Sequence, residues 1–351
     1  EFYKNDSFFR NIAFVYTIHN LAYAGAFRRH TFYKTGLPGS YFNMEGIEFY
    51  GDWSFAKSGI YYADKVSTVS KNYAFETQEA EFGYGFQGLL RQRAAQGEYI
   101  GISNGKPELM SPAYSRNIYQ NYDANNFRTL KPRNKERFQR DYGLEVNTEK
   151  PLIGIVSRIE GQQKGLNLLV EAIDGLTVIE HMVRLGAQLV IAGAGDRGLE
   201  DHLDRVISGL KSKYPGQALY LRGYSPSSQT DKIDAASDLT IVPSKYEPFG
   251  LRTPIAMGFG SIPVGRKTGG IADCIRPYDW RNDTGTGFLF ERFNPGALLE
   301  AVSLALSLYL NEPLSWARLQ KRAMKQDFSW AKSIRQYEKD LYEPAIATAK
   351  S

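Results

Sequence analysis

The sequence predicts an α/β protein built from two Rossmann-like domains, the first of them incomplete. Apolar, β-rich runs alternate with helix-like segments along the chain, which is the pattern of parallel sheets flanked by helices. With 351 residues, of which 42% are hydrophobic, the chain is long enough to form two buried cores. The alternation is more regular in the second part of the chain, which therefore predicts the complete unit.

The first domain is predicted over residues 1–145 and supplies about half of a Rossmann-like unit. Its candidate strands are "AFVYTI", "KVSTVS" and "YIGISN". Ser70 precedes the helix-like run "KNYAFETQEAEF", and its hydroxyl is suited to cap that helix. A polar, poorly periodic stretch then runs from Ser111 to Lys150, and the domain boundary is placed near its end.

The second domain is predicted over residues 146–325 as a complete Rossmann-like unit. Its candidate strands are "LIGIVS", "QLVIAGAG", "ALYLRGY", "LTIVPS", "SIPVG" and "GFLF". The helices between them are expected to begin near Gly165, Gly198, Ser228, Phe249 and Gly270. Residues 326–351 form a further helical segment, whose apolar face is predicted to contain Trp330, Ile334, Tyr337 and Leu341.

Composition disfavours several classes of function. The 43 basic and 38 acidic residues are interspersed, so the net charge of +5 favours a local anionic ligand over nucleic acid. Cys274 is the only cysteine, which excludes an intrachain disulfide and favours a reducing compartment. The most apolar run, "ALLEAVSLALSLYL", is too short to span a membrane and predicts a buried helix. The first residues, "EFYKNDSFFRN", do not resemble a signal peptide, and the chain is expected to begin within a domain.

The ends of the predicted parallel strands are where a ligand site is expected. Glu247 follows "LTIVPSKY", with Pro248 predicted at the first position of the next helix, so Glu247 either serves a ligand or complements the helix dipole. Arg158 and Lys164 in "VSRIEGQQKG" suit a diphosphate, although as isolated residues they would be solvated charges. Similarly, "GRKTGG" at 265–270 is either an anion-binding helix start or an ordinary tight turn.

Together these motifs resemble those of the bacterial and plant glycogen (starch) synthases. The resemblance rests on "YTIHNLAYAGAF", "GIYYADKVSTVS", "EFGYGFQGLLRQR", "VSRIEGQQKGL", "VIAGAGDRGLE", "LRGYSP", "IVPSKYEPFGL", "PVGRKTGGIADCI", "TGFLF" and "QDFSWAKSIRQYEKDLYEP". It covers nearly the whole chain. Within it, "GYGFQG" formally spells a dinucleotide fingerprint but follows a helix-like segment, so it is interpreted as an active-site loop.

The resemblance implies a GT-B fold, with two Rossmann-like domains facing across a cleft and the last helix crossing back to the first domain. It implies a retaining transfer of glucose from a nucleoside diphosphate glucose, with ADP-glucose favoured, to the non-reducing end of an α-1,4-glucan. No metal or cofactor is implied. The catalytic residues implied are His19, Arg158, Lys164 and Glu247, and the substrate-binding residues implied are Asn104, Gly105, Phe249, Gly250, Thr268, Gly269 and Gly270.

The chain also differs from that family at several points. Arg252 and Pro254 stand in a segment that the family writes "EPCGLTQLYALRYG", and the family's initial "K-x-GGL" loop has no counterpart, which predicts a separate or missing N-terminal segment. Two alternatives therefore stay open: a non-catalytic glucan-binding or regulatory relative, and a GT-B transferase for another sugar nucleotide. No nucleic-acid or membrane partner is expected. The resemblance places the protein in the bacterial cytoplasm or the plastid stroma.

Overall fold

The computed structural model describes residues 6–9, 11–223 and 228–350. They form two compact units. One comprises the chain up to Gly105 together with the segment from Ser329 onward, and the other is Lys106–Phe328. Among the described residues, no helix combines the length and the apolar character that crossing a membrane would need.

The first unit contains a small parallel sheet and an antiparallel sheet. Its elements are β1 (Val15–Ile18), β2 (Ala26–Phe27), β3 (Glu48–Phe49), β4 (Asp52–Ser54), α1 (Phe55–Tyr62), β5 (Lys65–Thr68), α2 (Lys71–Glu76), α3 (Gln87–Ala95) and β6 (Tyr99–Gly101). The parallel sheet has the order β1-β5-β6, so the three strands predicted from the sequence are present, and the antiparallel sheet has the order β2-β4-β3. Ser70 caps α2 as predicted, because its hydroxyl accepts the Tyr73 N–H at 3.1 Å.

The second unit is built on one six-stranded sheet whose paired strands are all parallel. The sheet consists of β7 (Leu152–Val156), β10 (Gln188–Gly193), β11 (Ala218–Arg222), β12 (Leu239–Val242), β13 (Ile262–Arg266) and β14 (Phe288–Phe290). Two further strands of the unit, β8 (Ala172–Ile173) and β9 (Leu176–Thr177), form a separate hairpin. Its helices are α4 (Phe127–Asp141), α5 (Val178–Arg184), α6 (Arg197–Lys213), α7 (Ser228–Ala236), α8 (Arg252–Gly258), α9 (Gly269–Cys274), α10 (Pro295–Asn311) and α11 (Pro313–Met324).

The strand order of this sheet identifies where its ligand crevice lies. The order is β11-β10-β7-β12-β13-β14, so the chain starts in the middle, moves to one edge, returns and moves to the other edge. This is the doubly wound arrangement, whose crevice opens at the carboxyl ends of the two strands between which the direction reverses. Those strands are β7 and β12, and all six strands were predicted from the sequence.

The division into units differs from the predicted boundary at residue 145. Residues 106–145 belong to the second unit, because α4 packs into it. Phe138 is completely buried in a cluster with Leu152, and Lys135 forms a 2.7 Å ion pair with Asp238. Part of the polar sequence that predicted a linker is therefore interior, since Lys131, Asn134, Lys135 and Gln139 are buried and hydrogen-bonded.

The C-terminal segment belongs to the first unit. It consists of α12 (Trp330–Gln336), a π-helical stretch (Tyr337–Tyr342) and α13 (Glu343–Lys350). The Ser333 hydroxyl donates to the Ser103 carbonyl oxygen at 2.7 Å. The predicted apolar face is wrong in its first turns, since Trp330 and Ile334 are 43% and 48% exposed while Leu341 is buried. The prediction assumes about 3.6 residues per turn throughout, but the π-helical stretch has more residues per turn, so Leu341 does not lie on the same face as Trp330 and Ile334.

Candidate functional site

The crevice between β7 and β12 brings together the acidic and basic residues that the sequence analysis selected. Arg158 and Lys164 lie in the loop that follows β7, and Glu247 lies in the loop that follows β12. Lys164 Nζ is 2.6 Å from Glu247 Oε2. The Ser244 hydroxyl donates to the same oxygen at 3.1 Å. The carboxylate is therefore held from two sides by its own unit.

This geometry corrects the predicted start of the helix that follows Glu247. That helix, α8, begins at Arg252 rather than near Phe249, so Pro248 is not its first residue. Between Glu247 and α8, Gly250 has a left-handed backbone conformation, with φ +79°. Because helix dipoles act only within the first turn, complementing α8 does not account for Glu247.

The "GRKTGG" segment packs against the main chain of Glu247. The Gly270 N–H donates to the Glu247 carbonyl oxygen at 3.1 Å. Gly269 has φ +42°, and a Cβ atom built on it would overlap that same carbonyl oxygen. Thr268 and Phe249 are buried beside them. Two consecutive glycines are needed here because the two loops touch through their backbones.

A hydrogen-bonded loop holds the two basic residues. The Lys164 N–H donates to Glu160 Oε1 at 3.1 Å, and the Gln163 N–H donates to the same oxygen. Arg158 donates to Gln163 Oε1 at 2.9 Å, and the Gln163 carbonyl accepts the Lys245 N–H at 2.8 Å. The Arg158 side chain is 58% exposed, whereas that of Lys164 is 21% exposed. Arg158 is therefore open to a ligand while its position is fixed.

Sequence reasoning missed the residues that do this positioning. Glu160 and Gln163 lie inside the quoted "VSRIEGQQKGL" motif, but neither was selected as functional. Gln163 is 5% exposed and joins the β7 loop to the β12 loop through both its side chain and its main chain. The available signal was its position directly before Lys164. Asp196, which follows β10 in the quoted "VIAGAGDRGLE" motif, caps α6 by accepting the Leu199 N–H at 2.8 Å.

Three predicted site residues lie in the first unit. His19 directly follows β1 and is exposed, while Asn104 and Gly105 follow β6. Asn104 donates its N–H to the Val69 carbonyl at 3.3 Å, and its Oδ1 is buried without a hydrogen-bond partner among the described residues. Gly105 is buried against the main chain of Trp330. Since β1 and β6 belong to one parallel sheet, His19 and Asn104 share its carboxyl edge.

The two residues that differ from the family pattern have structural roles of their own. Arg252 forms an ion pair with Asp234, a fully buried residue of α7. Pro254 lies in the first turn of α8, where a missing N–H breaks no helical hydrogen bond. Tyr224 to Pro226 of the "LRGYSP" motif lie outside the described residues. Within the described ranges, His, Cys, Asp and Glu side chains form no group of three or more that could hold a metal ion.

Comparison with known proteins identifies the family of the chain. The family model described as "Starch synthase catalytic domain" matches residues 1–92, and the model described as "Glycosyl transferases group 1" matches residues 136–325. The glycogen synthase of Thermotoga maritima is 40% identical over 346 residues, covering 98% of this chain and 68% of that protein. The chain belongs to the glycogen and starch synthase family of glycosyltransferases.

A further relative and two solved structures extend the family assignment. The glycogen synthase of Desulforudis audaxviator is 40% identical over 95% of this chain and 64% of its own length. The catalytic domain of starch synthase IV from Arabidopsis thaliana, bound to ADP and acarbose, matches 96% of this chain and 67% of that chain, with a TM-score of 0.84 and 28% identity. HepE of Anabaena, in complex with UDP and glucose, has a TM-score of 0.55, covers 95% of this chain and 73% of that chain, and at 16% identity shows the fold alone. The GT-B fold class is thereby confirmed, and this family member spans about two thirds of the length of the relatives it matches.

Proposed function

We propose that this chain transfers glucose from a nucleoside diphosphate glucose, with ADP-glucose as the favoured donor, to the non-reducing end of an α-1,4-glucan. The observation that carries the proposal is the Lys164–Glu247 pair beside Arg158, at the point of the doubly wound sheet where a nucleotide is expected. The ADP bound by starch synthase IV supports the choice of the base.

In this proposal the two cations act on the leaving group. Negative charge grows on the diphosphate as the glycosidic bond breaks, and fixed donors aimed at that charge lower the barrier. Arg158 offers a planar fork that is held by Gln163, and Lys164 offers a compact ammonium. Both belong to one short loop after β7, so one diphosphate would meet both.

Glu247 acts on the sugar in the same proposal. Its carboxylate is held by Lys164 and Ser244 through Oε2. A negative group here stabilises the positive charge that develops at the anomeric carbon, and it accepts hydrogen bonds from sugar hydroxyls. His19 and Asn104 are proposed as further ligands of the glucose, and Phe249, Gly250, Thr268, Gly269 and Gly270 as the donor-binding backbone.

The test is to incubate the chain with ADP-glucose or UDP-glucose, with and without glycogen, and to measure release of the nucleoside diphosphate. We expect release that depends on glycogen and is faster with ADP-glucose, and a severe loss in Glu247→Gln, which keeps the shape but removes the charge. Preference for UDP-glucose would reassign the donor. Glycogen binding without release from either donor would instead identify a non-catalytic relative.

A further inference from the structure

The first unit contains a cavity of about 380 Å³ that is lined by none of the residues assigned catalytic or substrate-binding roles, although its Gly85 and Phe86 belong to the "GYGFQG" loop. We call it the Tyr50 pocket and define it by Met44, Glu48, Phe49, Tyr50, Lys57, Gly85 and Phe86. Two stacked rings stand in its wall, since Phe49 and Phe86 have centroids 4.1 Å apart and an interplanar angle of 9°. Tyr50 and Met44 are 78% and 82% exposed at its rim.

Two turns with left-handed residues build this pocket. Tyr50 has φ +50° and Tyr84 has φ +48°, and each is followed by a glycine that is also left-handed. A side chain in this conformation carries a steric cost, which folded proteins accept mainly at functional sites. A Cβ atom built on Gly85 would lie 2.7 Å from Tyr50 Cε2, so the ring is held directly over that glycine. The strained turn therefore positions a ring without burying it.

The polar groups of the pocket carry one charge of each sign. Glu48 Oε1 accepts the Gly51 N–H at 2.6 Å, which leaves other lone pairs of the carboxylate for a ligand. Lys57 Nζ donates to the carbonyls of Met44 and Gly46 at 2.7 and 3.1 Å. Burial lowers the pKa of Lys57, and the charge of Glu48 partly offsets this. Because the charges balance and the ammonium is occupied, the pocket suits a neutral ligand better than an anion.

We propose that the Tyr50 pocket is a subsite that binds a glucose unit of the α-1,4-glucan acceptor. A pyranose ring presents an apolar C–H face and a rim of hydroxyls. An exposed tyrosine beside an aromatic wall matches the face, and a carboxylate with spare acceptor sites matches the rim. This inference rests on the proposed function for the identity of the glucan, but it concerns binding at a place separate from the residues assigned to the reaction.

The test measures glucan binding without a donor. Wild type, Tyr50→Gly, Tyr50→Phe and Tyr33→Ala are run in native gels containing glycogen and titrated with maltoheptaose. Glycine adopts the Tyr50 backbone without strain, so the fold is kept. Tyr33 is the matched control, because it is 74% exposed and lies outside the pocket. We expect about three- to tenfold weaker binding for Tyr50→Gly, and near-wild-type binding for Tyr50→Phe and Tyr33→Ala.

Two results would overturn the inference: a wild-type chain that neither glycogen nor maltoheptaose binds, or a Tyr50→Gly variant that binds both as the wild type does. Nucleoside diphosphate release is measured in parallel on the wild type. If the wild type releases nucleoside diphosphate but Tyr50→Gly binds glucan as the wild type does, only the subsite is refuted. If glucan binding depends on Tyr50 but no nucleoside diphosphate is released, only the proposed reaction is refuted.

Discussion

Replacing Lys164 with alanine separates the electrostatic role of the crevice from its structural role. At the 2.6 Å separation of Lys164 and Glu247, two unit charges attract by roughly 6 kcal/mol at an effective dielectric constant of about 20. Desolvation and solvent screening cancel much of this, because the side chains keep 21% and 10% of their exposure. We expect Lys164→Ala to lower the free energy of unfolding by about 1–3 kcal/mol.

The effect on the reaction should be of similar size but should appear in kcat. Removing one fixed contact to developing charge costs about 3 kcal/mol, or on the order of a hundredfold in rate. The assay is steady-state release of the nucleoside diphosphate, with kcat and KM determined separately. Lys213→Ala is the matched control, since Lys213 forms a 2.5 Å ion pair with Glu180 in the same unit but is 50% exposed. That variant should keep wild-type kcat.

A near-wild-type kcat for Lys164→Ala would refute the assignment, because the diphosphate would then be held elsewhere. The interpretation would also change if the double variant Lys164→Ala/Glu247→Gln had the same kcat as Glu247→Gln alone. In that case Lys164 acts only by holding Glu247, and the double-mutant cycle gives the coupling free energy of the pair.

The remaining predictions concern the arginine, two glycines and a buried lysine. Arg158→Ala should lower kcat about a hundredfold, and Arg158→Lys should restore only part of it, because an ammonium does not reproduce a bidentate fork; full rescue would contradict this. Gly269→Ala should lower both the free energy of unfolding and kcat, because the added methyl group pushes the Glu247 carbonyl aside. Gly209→Ala, on an open face of α6, should instead raise the free energy of unfolding by about 0.5–1 kcal/mol. Denaturant titrations of the two variants measure this difference. Burial lowers the pKa of Lys131 to about 7, so above that pH the unfolded chain holds one proton more than the folded chain. From pH 7 to 9.5 the unfolding free energy of the wild type minus that of Lys131→Met should therefore rise, by at most about 1.4 kcal/mol per pH unit, and a flat difference would contradict the shift.

The strand pattern and the strand-end charges could be predicted because both follow from local sequence. Apolar runs separated by helical segments predict a parallel sheet, and parallel strands place the residues that follow them on one edge. That is why the sequence alone groups Arg158, Lys164 and Glu247. The fold of α4 could not be predicted in this way. Its buried face contains Lys131, whose carbonyl acceptors lie 103 and 104 positions away, and Lys135, whose ion-pair partner Asp238 lies 103 positions away.

The Tyr50 pocket shows a second limit of sequence reasoning. Nothing in "EFYGDW" or "EFGYGF" tells which tyrosines adopt a left-handed backbone, since that conformation is rare for residues other than glycine. The two turns are also 34 positions apart when measured from Tyr50 to Tyr84, so their contact depends on the tertiary fold. The contact between the Tyr50 ring and Gly85 exists only in the folded chain.

The position of Glu247 follows from backbone contacts more than from its own side chain. Its carbonyl accepts the Gly270 N–H, and the neighbouring Lys245 N–H donates to the Gln163 carbonyl, so three loops of one sheet edge are tied together through the main chain. These hydrogen bonds do not involve the charged groups of Lys164 or Glu247. Substituting either side chain therefore leaves the loop framework in place and changes the charges that it presents. For this reason Lys164→Ala and Glu247→Gln are expected to lose no more stability than their own side-chain interactions supply, while Gly269→Ala, which acts on the framework itself, is expected to displace the loop as well as to lower kcat.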